Sequence, residues 1–202
     1  GYSGLTMQAI ANATGYSKGT IYQHYCSKED VLAKLVILGG RQLVNMIDDV
    51  HQQPLSLRHK MILLSISFFK KTLHQKEVVG RVSLVKSPQF REKLSQVHQD
   101  AVAKCDSDIM HSIIAFFTDD PSFECQKTKA AAFGWWSILW GVQDALVNDW
   151  DLERIGFDHP EVHYLQSLHI FIDGLGIAPD ENCIDWSQVE PLAQKVFENS
   201  YN

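Results

Sequence analysis

Within one short stretch, Ser17, Lys18, Thr20, Tyr22, Gln23, His24 and Lys28 offer hydrogen-bond donors and acceptors. Side chains of these types can read base edges and hold phosphates, whereas bond-breaking chemistry needs a nucleophile, an acid/base pair or a metal. The chain's nine histidines invite a metal or acid/base reading. The one pair at i, i+4 is His159 and His163 with Glu161 between them. That stretch reads H-P-E-V-H, has proline inside it, and is not the H-E-x-x-H zinc pattern. The cysteines, Cys26, Cys105, Cys125 and Cys183, match neither a zinc spacing nor CxxC, and are expected to be reduced thiols. No Walker loop, GxSxG or GxGxxG occurs. The expectation is therefore no catalytic residue, no metal site, no cofactor and no enzyme.

The elements that must position the polar stretch are two short helices. Thr6 suits an N-cap, because its hydroxyl can accept from an unpaired backbone N–H. Ile10, Ala13 and Thr14 give the first helix a weakly apolar face. Gly15 suits the left-handed residue that ends it. Ser17 caps a second helix from Lys18 to about Tyr25, with Ile21 and Tyr25 turned inward. Lys28 follows just past its end, placed to meet a phosphate. This is the layout of a helix-turn-helix unit, whose second helix enters the DNA major groove.

Gly1-Tyr2, Thr6 to Ala11, Gly15 to Tyr25, and Ser27 to Leu32 carry a resemblance. Over about the first 37 residues the chain resembles the DNA-binding domain of the TetR/AcrR repressor family. The resemblance implies an all-α homodimer, with a DNA-binding head (residues 1–37) and a ligand-binding and dimerisation body (residues 38–202). It implies a repressor bound to a palindromic operator of double-stranded DNA and released by an unknown small-molecule effector. Lys18, Gly19, Thr20, Tyr22 and His24 are then expected to face DNA. Lys18, Thr20 and His24 would read base edges, while Thr6, Ser17, Tyr22 and Lys28 would hold phosphates. In the family pattern another helix precedes Gly1-Tyr2. The sequence is therefore expected to be a fragment or to begin at the first ordered residue, and if that helix is truly absent Ile10, Ile21 and Leu32 are expected to lack a packing partner.

Charge fits contact with DNA at one end. Lys18, Lys28 and Lys34 outnumber Glu29 and Asp30 in the head, so the acidic excess behind the net charge of −6 lies in the body. The chain is long enough for a substantial core. Its most apolar window, Ala130 to Val142, is too short to span a bilayer, and a cytoplasmic location without membrane contact is expected.

Beyond Lys28 the pattern is helical, and no stretch alternates with period two, so no sheet is expected. Ser27 with Asp30 resembles a capping box. A long helix to about His51 carries Leu32, Leu35, Val36, Leu43, Met46, Ile47 and Val50 on one stripe. Gly39-Gly40 interrupts it, as a kink, a close contact or a hinge between head and body; two glycines cost a helix about 2 kcal/mol relative to alanines. Further helices are expected at about 56–73, with Leu73 in its inward rows, and at 76–86. Others are expected from Pro88 to about Phe117, from Pro121 to about Asn148, at 160–175 and at 186–197. Ala130, Gly134, Ser137, Gly141 and Ala145 form a stripe of small residues that permits close helix approach. The resemblance implies that the helices near 121–148 and 160–175 pair with their copies across a two-fold axis.

The resemblance also implies a ligand pocket inside the body. Candidate lining residues are Phe68, Phe69, Met110, Ile113, Phe116, Phe117, Trp136 and Trp140, with His74, His111, Gln143 and Asp144 as polar contacts. Two other classes compete: a helical enzyme with an unmarked constellation, and a helical ligand-binding module that does not use DNA. Sequence-selective DNA retention would separate both from a regulator.

Overall fold

The computed structural model describes residues 4–121, 123–148, 150–177 and 186–200. It is all-α, with no strand among the described residues. The helices are α1 (Met7–Thr14), α2 (Lys18–His24), α3 (Lys28–His51), α4 (Leu57–His74), α5 (Lys76–Lys86), α6 (Pro88–Arg91), α7 (Gln96–Thr118), α8 (Thr128–Val147), α9 (Pro160–Gly174) and α10 (Trp186–Asn199).

Local chemistry explains the head. Thr6 Oγ1 accepts from the Ala9 amide at 3.0 Å and starts α1. Gly15 ends it at φ +73°, a backbone conformation open to glycine. Ser17 Oγ accepts from the Thr20 amide at 3.0 Å and starts α2. The buried side of α1 is Met7 and Ala11, joined by half-buried Ile10, and they close on Ile21, Tyr25 and Val31. Ala13 and Thr14 are exposed, so the apolar face is turned from the expected one. Thr14 instead donates to the Ile10 carbonyl at 2.8 Å, which a solvent-facing helix end permits.

The 24-residue helix α3, about 36 Å long, runs from head to body without interruption. Gly39-Gly40 does not break it. At Gly40 an added Cβ would collide with Cys105 Sγ of α7, so this glycine lets α3 and α7 approach closely. Leu32 is buried with Ala33, Val36, Phe90, Leu94 and Val102. Contrary to expectation, Ile10, Ile21 and Leu32 all have packing partners: Ile10 and Ile21 pack within the head with Met7, Ala11, Tyr25 and Val31, and Leu32 is covered by the body. Leu35 of the expected stripe is 45 % exposed, where it borders a groove between α3, α4 and α5.

Ser27 Oγ accepts from the Asp30 amide at 3.1 Å, but the reciprocal half of a capping box does not form. The buried Asp30 carboxylate turns to α7 instead. There it accepts from the Ser95 amide at 3.0 Å and from Ser95 Oγ at 3.1 Å, with His98 Nδ1 at 3.3 Å. That anchor accounts for another difference: the expected helix from Pro88 divides into α6 and α7. The chain turns at Leu94 and Ser95, which buries Leu94 and brings the Ser95 amide to Asp30 Oδ1. The helix expected from Pro121 starts later, at Thr128, after a 3₁₀ turn over Cys125–Lys127. Phe123 precedes that turn and packs on the Phe117 ring, centroids 5.0 Å apart.

The main core lies between α3, α4, α7, α8, α9 and α10. Trp135 is fully buried at its centre, edge-on to Phe116 and Phe117 at 5.3 and 6.0 Å. Its Nε1 donates to Ser65 Oγ at 3.0 Å, and Tyr164 donates to the Ser65 carbonyl at 3.1 Å. Burial pushes the Tyr164 hydroxyl pKa up, so it acts as a neutral donor. Helix α10 covers α4 with Val189, Ala193 and Val196. Leu73 of the second inward row of α4 is 49 % exposed, where the helix runs past its neighbours. Cys183 lies outside the described residues.

Candidate nucleic-acid interface and ligand cavity

With Ile21 fixing its inner side, α2 turns Lys18, Gly19, Tyr22 and His24 to solvent, with Thr20 half-buried. Lys18 Nζ stands 5.8 Å from the centre of the Tyr22 ring, one turn further on, which orders both side chains on one face. Ser17 and Thr20 hydroxyls bond to one another at 2.8 Å. The exposed Thr6 and Ser17 oxygens each accept from a backbone amide, and a hydroxyl that caps in this way can still donate to an external acceptor. Gly19 has open space around it, since an added Cβ would meet only Ser17 Oγ at 3.7 Å. Lys28 is half-buried and already engaged at the start of α3. The surface is therefore a short polar helix held rigidly by two caps and a small apolar contact. It can hydrogen-bond along a groove, and its exposed cation can meet an anion.

A second feature lies in the body. Helices α3, α4, α5, α7 and α8 line a partly open cavity of about 60 Å³. Phe68, Trp136, Trp140 and Gln143 line it. Phe69 does not: it stacks on Tyr164 with centroids 5.5 Å apart. Ile113, Phe116 and Phe117 are fully packed core. Met110 is half-buried away from the cavity, and exposed His111 bonds back to the Ser107 carbonyl at 2.8 Å. His74 lines an outer groove, and Asp144 accepts from Asn148 at 2.8 Å.

The polar lining that sequence reasoning missed is Lys71, Lys86 and Asp106. Lys86 bonds Asp106 at 2.8 Å and stands 4.7 Å over the Trp140 ring. Lys71 is buried, and burial pushes its ammonium pKa down to about 8. A signal for it existed: Lys71 falls three residues after Phe68 on the inward row that starts at Leu57 and Met61. Half-buried Cys105 also lines the cavity, and burial pushes its thiol pKa up, which makes it a poor nucleophile.

The histidine pair is not a clamp. His159 Nδ1 lies 3.8 Å from Glu161, while His163 packs edge-on to Phe157 with centroids 5.2 Å apart. Among the described residues no group of three or more His, Cys, Asp or Glu could hold a metal ion. No helix of the described residues is long and apolar enough to cross a membrane.

Residues 1–35, which comprise α1, α2 and the first turns of α3, match the family model for bacterial regulatory proteins of the tetR family. Comparison of the chain with curated proteins and with solved structures yields no match.

Proposed function

We propose that this chain, whose residues 1–35 match the family model for bacterial regulatory proteins of the tetR family, is a homodimeric DNA-binding repressor released from a palindromic operator by a small molecule. The observation that carries the reading is the α1–α2 unit itself: a family-matched segment whose second helix turns Lys18, Gly19, Tyr22 and His24 outward together. In this reading residues 1–37 bind DNA and residues 38–202 dimerise and hold the effector, with α3 as the continuous rod between them. The cavity supports an effector site, and the exposed apolar residues of α8 and α9 support a dimer. A cytoplasmic location belongs to the same reading.

The roles along α2 follow from where the side chains stand. Lys18 and His24 are the base-edge readers, joined by Thr20, while Tyr22, Thr6, Ser17 and Lys28 hold phosphates. Lys18→Ala is expected to cost about 1–3 kcal/mol on the operator and to relax preference at one base pair. Lys28→Ala is expected to weaken binding to all sequences and to reduce the salt slope by about one. Titrations on operator and random duplexes at several salt concentrations check both. Equal loss on both DNAs for both variants would overturn the division of roles.

Selection of binding sites from random duplexes by the full-length protein, at a stated salt concentration, tests the function itself. Enrichment of a two-fold symmetric site is the expected result. A folded, dimeric protein that enriches no sequence would refute the DNA-binding reading and leave a helical ligand-binding body.

A further inference from the structure

The cavity carries a charge imbalance. Its lining holds two cations and one anion: Lys71, Lys86 and Asp106. Asp106 already serves Lys86 at 2.8 Å and Arg91 at 3.5 Å. Lys71 is only 6 % exposed, and among the described residues its ammonium donates to a neutral group, Gln42 Oε1 at 3.2 Å. Gln143, 7 % exposed, also lines the cavity and brings a side-chain amide to it. A buried ammonium whose partner is neutral is costly. A carboxylate at Lys71 would remove that cost through charge-assisted bonds from its Nζ, and the Gln143 amide on the same lining is a further donor for it.

The remaining wall is apolar, with Phe68, Ile109, Trp136 and Trp140 prominent. The cavity's 60 Å³ would admit a few waters but is below the 300 Å³ or so of ordinary ligand sites. It shares Leu35, Gly39, Gln75 and Val78 with an outer groove of about 570 Å³ between α3, α4 and α5. Around that groove Leu35, Leu38, Leu73 and Val78 are all more than 40 % exposed. An occupant therefore has to be elongated, with its apolar part in contact with both spaces.

The geometry points to an anionic amphiphile as the occupant: an unbranched carboxylic acid whose carboxylate sits on Lys71 and Gln143 and whose hydrocarbon chain lies along the aromatic wall and the outer groove. This ligand class rests on the proposal that the cavity is the effector site.

Calorimetric titration of the full-length protein with hexanoate, octanoate and decanoate, beside octanamide and octylammonium, tests it. At least one of the three carboxylates is expected to bind, octanoate at least ten-fold tighter than octanamide, with no binding of octylammonium. Lys71→Met removes a buried charge without removing volume. It is expected to abolish the preference for carboxylate over amide while octanamide still binds. Lys71→Gln makes the same test if the methionine variant does not fold. Failure of all three carboxylates to bind, equal binding of acid and amide, or an unchanged preference in the variants would overturn the ligand class. Retention on the selected operator is measured in parallel. Octanoate binding without operator release would leave the ligand class standing and refute the effector role. Intact operator binding with no carboxylate bound would refute the ligand class alone.

Discussion

Phe133→Glu together with Ile170→Glu is expected to give a folded monomer whose operator affinity falls by about 10²–10⁴-fold. Phe133 on α8 and Ile170 on α9 are 68 % and 73 % exposed, the largest apolar exposures on these two helices. Each directly precedes a residue of the tight contact between the helices. An added Cβ at Gly134 would stand 2.7 Å from the Phe171 ring, so α8 and α9 are pressed together there. On α8 the exposed face continues with Ala130, Ser137 and Gly141, and on α9 with Val162 and Gln166. Small residues beside large apolar ones let a second copy of the same face approach closely. In an isologous pairing each glutamate would also meet its own copy or its neighbour's, so the double variant brings four acids together. Neither side chain belongs to the core, so folding should survive. Sedimentation gives the oligomeric state, and operator titration gives the loss. The loss is large because a single head forfeits the second, effectively intramolecular binding event. A variant that remains dimeric with unchanged affinity would move the interface away from α8 and α9.

The other large effect concerns the core. Trp135→Ala is expected to cost about 3–5 kcal/mol of stability, read as a lower denaturant midpoint with little change in slope. Against a typical total of roughly 5–15 kcal/mol, this removes a large share of what holds the fold. The indole is fully buried between Phe116 and Phe117, and its loss leaves a void bordered by rings that are themselves pinned. The hydrogen bond to Ser65 is the lesser part. Ser65 Oγ also donates to the Met61 carbonyl at 2.7 Å, so it is not orphaned when the indole goes. Trp135→Phe should therefore cost clearly less than Trp135→Ala. Equal losses would mean that the hydrogen bond, not the packed volume, dominates at this position.

The head was legible in the sequence because its determinants are local. Thr6, Gly15 and Ser17 act on backbone groups within three residues of themselves, and Ile21 declares the inner side of α2. Most helices of the body were legible for the same reason, since an inward stripe at helical spacing needs no partner to be recognised. Helix ends were decided elsewhere. Asp30 takes the Ser95 amide, and that long-range bond divides α6 from α7 where the spacing of Phe90, Leu94 and Val97 continues unbroken. Gly40 is similar: its composition suggests a weak point, and only the nearness of Cys105 makes it a close contact.

The cavity belongs wholly to the tertiary structure. Phe68 and Phe69 are adjacent and chemically identical, yet one lines the cavity and the other stacks on Tyr164. Periodicity tells which side of a helix turns inward. It does not tell whether the facing helices close on that side or leave a gap, because that depends on how five separate helices meet. For the same reason the sequence determined an all-α chain with a short polar helix in its head, and only the packed body decided that Lys71 is buried with no counter-charge among the described residues.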